Sequence, residues 1–268
     1  MFKNILSILM IAAFFLAGCG SAATATPAET VEEITLKVFA PSSMTDAAKE
    51  LAANFEAGNP NVQVVIEFGH SPTQRLQFTE GATGDVFITA AQKDMDDAIT
   101  DTTVAAGTAS VIASNQLVII LSPKNASNLE KLEDLANPGV KLLVANTDTP
   151  IGKVTLLAFD KMNEQFGDGF KDKVMANIVS NEPGVKPIVS KVKLNEADAG
   201  IVYVSDAVSA PELKTITIQA ELNMVTKLNA APLAKSENPD MAAAFTAYMV
   251  SAEGQAVLQK WGFLPGTP

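Results

Sequence analysis

The chain has 268 residues, 47% hydrophobic and 18% charged, a globular composition long enough for two lobes rather than one. A formal charge of −11, no basic cluster, one Trp and two Tyr argue against a nucleic-acid partner. One His and one Cys leave little for a transition-metal site, and a lone Cys excludes an intrachain disulfide.

The N-terminus reads as an export signal. "MFKNILSILMIAAFFLAGCGS" has Lys3, an apolar run from Ile5 to Ala17, and small residues before Cys19. "LAGC" resembles a bacterial lipobox, so residues 1–18 are expected to be removed and Cys19 to be lipidated. "GSAATATPAETVEE" then suits a flexible tether, 19–33. The expected product is anchored to a membrane surface without spanning it.

From Ile34, strands and helices alternate. "ITLKVFA" predicts a strand, and Met44, Ala47, Ala48, Leu51 and Phe55 recur at helical spacing up to "GNP". "VQVVIEFG" is the second strand, with a short helix from Ser71 to near Gly81. "GDVFITA" is the third, followed by the helical "AQKDMDDAIT". The β-prone "SNQLVIILSP" is expected to cross to a second lobe. There, "NLEKLEDLANPG" predicts a helix, "VKLLVAN" a strand, and "IGKVTLLAFDKMNEQFG" a helix. "FKDKVMANIVSN" and "VKPIVSKVKLNEA" predict further helices, and "AGIVYVS" another strand. "LKTITIQ" and "VTKLNAAPLA" lead back, and "NPDMAAAFTAYMVSAEGQAVLQKWGF" closes the chain, with Met241, Ala244, Phe245, Tyr248 and Met249 forming an apolar helical stripe. Such alternation predicts an α/β protein with mainly parallel sheets flanked by helices. Lobe 1 is expected over 34–120 and 226–268, and lobe 2 over 121–225.

A ligand cleft is then expected at the carboxyl ends of the strands, where helices begin. Four stretches fit: Ser42–Ser43, Ser71 in "FGHSPTQRL", the turn "TPIGK" (149–153) and "EPGVKP" (182–187). Helix N-termini present free N–H groups and partial positive charge, so they attract anions inside an acidic protein. The plain alternative is that each serine only caps its helix. Pro72 suits a first helical turn, and Gly84, Gly152 and Gly184 read as ordinary turn residues.

Together, "VFAPSSMTDA", "FGHSPTQRL", "GDVFITAAQKDMD", "TPIGK", "DAGIVYVSDA" and "SAEGQAVLQKWGF" resemble ModA-type molybdate-binding proteins, the extracytoplasmic receptors of molybdate ABC importers. The resemblance covers roughly residues 34–263. It implies the class II periplasmic-binding-protein fold, a monomer, and no cofactor. It also implies an oxyanion, molybdate or tungstate, held by Ser43, Ser71, Ile151, Val185 and Tyr203, with a membrane permease and an ATPase as partners. Ser43 and Ser71 would give hydroxyl and amide donors, Ile151 and Val185 amides only, and Tyr203 its phenol. Ser42 could replace Ser43. Ile151 stands where the family often has Ala, and Pro72 and Pro187 remove nearby donors. Sulfate is the rival ligand. A serine hydrolase built on His70 and Ser71 lacks a GxSxG elbow, and Arg75, the sole arginine, lies a turn into its helix rather than at a ligand position.

Overall fold

The computed structural model describes residues 33–266. The expected signal segment, Cys19 and the tether up to residue 32 lie outside them. Strand β1 (Ile34–Pro41) runs through a 3-10 turn (Ser42–Met44) into α1 (Thr45–Gly58), then β2 (Val62–Gly69), α2 (Ser71–Thr79), β3 (Val86–Thr89) and α3 (Gln92–Thr100). The long β4 (Ser110–Leu121) leads to β5 (Leu142–Ala145), α4 (Pro150–Phe166), α5 (Phe170–Ala176), β6 (Ile178–Glu182), α6 (Val185–Lys193), β7 (Ala199–Tyr203) and α7 (Val204–Val208). After β8 (Lys214–Thr217) and β9 (Val225–Pro232), α8 (Pro239–Val250), α9 (Ala252–Lys260) and β10 (Leu264–Pro265) end the fold.

The strand order is β2-β1-β3-β9-β4-β7-β5-β6. Pairing is parallel within β2-β1-β3 and β7-β5-β6, and antiparallel wherever β4 or β9 takes part. In the first lobe, alternate residues of β1 face opposite layers. Leu36 and Val38 pack with Leu51, Phe55 and Phe245, while Phe39 packs with Phe78, Phe87 and Met95. In the second lobe a single apolar cluster joins Ile119, Leu142, Phe159, Ile188 and Ile201.

The lobes are joined through β4. Its residues up to Gln116 pair with β9, and from Leu117 it pairs with β7, then β8. At the exchange, Leu117 would have unpaired main-chain groups on one side. The buried Asn223 amide fills the gap, accepting the Leu117 N–H at 2.9 Å and donating to its carbonyl at 2.8 Å. The Leu117 partner on the other side is Tyr203.

Three expected elements differ from those observed. Of "NLEKLEDLANPG", only Leu132–Ala136 turns, as 3-10 helix, because Asn128 takes a positive φ of 50° and Pro138 blocks continuation. "FKDKVMANIVSN" divides into α5 and β6. Asn177 ends the helix by donating to the carbonyls of Leu135 and Asn137, both at 2.8 Å, and the β-branched pair after it joins the sheet. Helix α6 stops at Lys193. The expected closing stripe lies in α8, and Ser251, with extended backbone and its hydroxyl 3.2 Å from the Gly254 N–H, starts α9.

Candidate functional site

The carboxyl ends of β1, β2 and β3 in one lobe and of β5, β6 and β7 in the other meet around a cavity of about 80 Å³. Its walls are Pro41–Ser43, Gly69–Ser71 and Ala90 on one side, and Thr149–Ile151, Gly184, Val185 and Tyr203 on the other. All five residues expected from the sequence, with Ser42, therefore line one space. No Lys, Arg, Asp or Glu is among the lining residues. Arg75 points elsewhere and is paired with Asp101.

The serines do not cap. No side-chain cap bond is made at the 3-10 turn, at α1 or at α2. Ser71, 3% exposed, accepts the Ala90 N–H on its hydroxyl oxygen at 3.3 Å, which leaves the hydroxyl proton to be donated. Ala90 was missed in the sequence. Its only signal is its position directly after β3.

Helix α4 shows how local sequence sets one donor free. Pro150 has no N–H, the Gly152 N–H goes to the Thr149 hydroxyl at 3.1 Å, and the Lys153 N–H goes to the Thr149 carbonyl at 3.1 Å. The Ile151 N–H is left without an acceptor in the helix. Gly152 is not an ordinary turn glycine. A Cβ there would lie 2.0 Å from the Asn146 carbonyl oxygen, so glycine alone lets α4 start against the end of β5. Gly84 is likewise a packing glycine, where a Cβ would come within 2.5 Å of the Phe39 ring. At α6, Val185 is the first helical residue, and Pro187 occupies a position whose N–H has no intrahelical acceptor. The side chains of Ile151 and Val185 belong to the apolar cluster of their lobe, so the bulk of Ile151 is absorbed by core packing.

Tyr203 ends β7 with 4% of its surface exposed, and its hydroxyl is buried without a hydrogen-bond partner. Burial raises its pKa far above the ordinary phenol value, so it is a neutral donor. The Thr226 hydroxyl is close enough to oppose that shift, but it donates to Asn115 and does not meet bonding geometry with the phenol. Asp206 accepts the Tyr203 N–H at 3.1 Å. Asp206 keeps part of its surface exposed, yet burial around its carboxyl group pushes the pKa up to about 7, Tyr203 and Lys186 lowering it and Asp46 adding to the rise. Among the described residues, no group of three or more His, Cys, Asp or Glu is placed to hold a metal ion.

The cavity presents donors from two lobes and no fixed charge, the arrangement of a binding cleft. Residues 36–264 match the family model for bacterial extracellular solute-binding proteins. The chain belongs to that family. This solute-binding protein is 30% identical to the molybdate-binding protein ModA of Mycobacterium tuberculosis over 261 residues, 97% of this chain and 96% of the relative. It is 26% identical to ModA of Escherichia coli over 238 residues, 87% and 90% of the two chains. In fold it is similar to the periplasmic molybdate-binding protein of Azotobacter vinelandii, with a TM-score of 0.74, 21% identity, and coverage of 87% and 99%. The family binds solutes for transport and is not one of enzymes, which removes the hydrolase reading. No helix among the described residues is long and apolar enough to cross a membrane.

Proposed function

We infer that this solute-binding protein captures molybdate, and tungstate with it, outside the cytoplasmic membrane and delivers it to an ABC importer of permease and ATPase subunits. The observation that carries this reading is the buried, partnerless Tyr203 hydroxyl beside a cavity lined by helix N-termini and serines. Ser43, Ser71, Ile151, Val185 and Tyr203 hold the oxyanion. A tetrahedral dianion leaves water only if many donors replace its hydration. Hydrogen bonds to a charged group contribute about 1.5–3 kcal/mol each, so several offset that cost. A donor-only wall also discriminates by protonation, because monohydrogen phosphate carries a proton that needs an acceptor. Sulfate escapes that penalty and is separated by size.

The ligand draws the lobes together because its donors are divided between them. The strand pairing supports a first crossing inside β4 near residues 116–117, a few residues before the boundary expected between 120 and 121. Cys19 carries the lipid that keeps the monomeric receptor at the membrane. Calorimetric titration with molybdate, tungstate, sulfate and phosphate tests the ligand. Tight binding of the first two, weaker binding of sulfate and none of phosphate is expected. Preference for phosphate, or indifference to all four, would refute the reading.

A further inference from the structure

Beside the cavity, the first turn of α1 meets two elements of the opposite lobe. Thr45 donates its hydroxyl to the Ser42 carbonyl at 2.7 Å, and the Lys186 ammonium donates to the same Thr45 oxygen at 3.0 Å. One residue further, the Asp46 carboxylate lies 3.0 Å from the Ser209 hydroxyl and accepts its hydrogen bond in competition with the Ser205 carbonyl at 3.2 Å. None of these four residues lines the cavity. Each one adjoins a segment that does. Lys186 follows Val185, Ser209 closes the short helix begun after Tyr203, and Thr45 and Asp46 follow Ser42–Ser43. Thr45 and Asp46 belong to one lobe and Lys186 and Ser209 to the other, so these contacts exist only while the lobes are together.

We propose that Thr45, Asp46, Lys186 and Ser209 form a clasp that holds the lobes shut over the anion and sets its residence time. It rests on the oxyanion-receptor reading above and adds positioning residues that touch no ligand. The Thr45–Ser42 bond lies within one lobe and persists when the cleft opens, so the Thr45 oxygen stays oriented to accept Lys186 on reclosure. Ser209 and Asp46 form the second arm. Opening must break both, while capture by the open form needs neither. The clasp therefore acts on release rather than on encounter.

The experiment follows release of radiolabelled molybdate from the full chain into excess unlabelled molybdate, with the capture rate measured in parallel. Thr45→Val and Ser209→Ala should each release the label about threefold to tenfold faster, from the loss of one hydrogen bond, with capture nearly unchanged. Lys186→Arg should keep wild-type release. Lys186→Met should add little to Thr45→Val, because both remove the same bond. Unchanged release in Thr45→Val and Ser209→Ala would overturn the clasp. So would a Lys186→Met effect that is confined to capture or survives fully in Thr45→Val, since that would mark a general attraction of the ammonium for anions. If the wild-type chain retains no molybdate but retains sulfate, the ligand assignment fails and the same chase with radiolabelled sulfate decides the clasp. Retention of neither anion overturns both.

Discussion

Replacing Tyr203 with Phe removes one oxygen and keeps the ring that packs in the second lobe. In the structure that oxygen is buried and has no protein partner, so the substitution breaks no internal bond. A buried hydroxyl with no partner costs about 1–3 kcal/mol in lost hydration, which phenylalanine avoids. The ligand-free melting temperature should therefore hold or rise. With ligand the sign reverses, because a neutral donor to a dianion contributes about 1.5–3 kcal/mol, a loss of roughly tenfold to 150-fold in affinity. Calorimetry with molybdate, paired with thermal melts with and without it, measures both effects. An unchanged Kd would show that the phenol does not reach the anion. A lower ligand-free melting temperature would show that it has a structural partner instead.

Three further outcomes follow from the same geometry. Gly152→Ala forces a Cβ against the Asn146 carbonyl, and overpacking of this kind costs about 1–3 kcal/mol. Scanning calorimetry should show a fall of several degrees, together with weaker binding as the Ile151 amide shifts. Ser71→Ala removes a donor and strands the Ala90 N–H, so affinity should drop about tenfold or more and stability by about 1 kcal/mol, read by titration and by urea unfolding. The Asp206 carboxyl, raised from 3.8 to about 7, holds a proton in the folded state that the unfolded chain has already lost between those values. Stability should therefore decline as pH rises through that window, and Asp206→Asn should flatten the decline in a series of melts.

Much of this architecture follows from local pattern. The spacing of Ala47, Ala48, Leu51 and Phe55 makes one buried helical face, and the β-prone runs before Ser42, Ser71 and Ile151 end where helices begin. Those junctions are visible because strand ends and helix starts have short-range chemical signals. The errors arose where tertiary contact overrides propensity. Asn177 stops a helix by bonding carbonyls of residues 135 and 137, which hydrophobic spacing does not record. Glycines 84 and 152 look like turn residues until the ring or carbonyl that each accommodates is in place.

The sequence by itself determined the alternating α/β plan and which amides and hydroxyls stand where strands end and helices begin, because amide, hydroxyl and helix start are properties of single residues and near neighbours. Only the tertiary structure decided that the Ser71 hydroxyl takes the Ala90 N–H rather than capping its helix, that the Ile151 amide is free, and that the Tyr203 phenol is buried without a partner. Each of these depends on groups far away in the chain or on which competing bond is already made, and no local pattern encodes that.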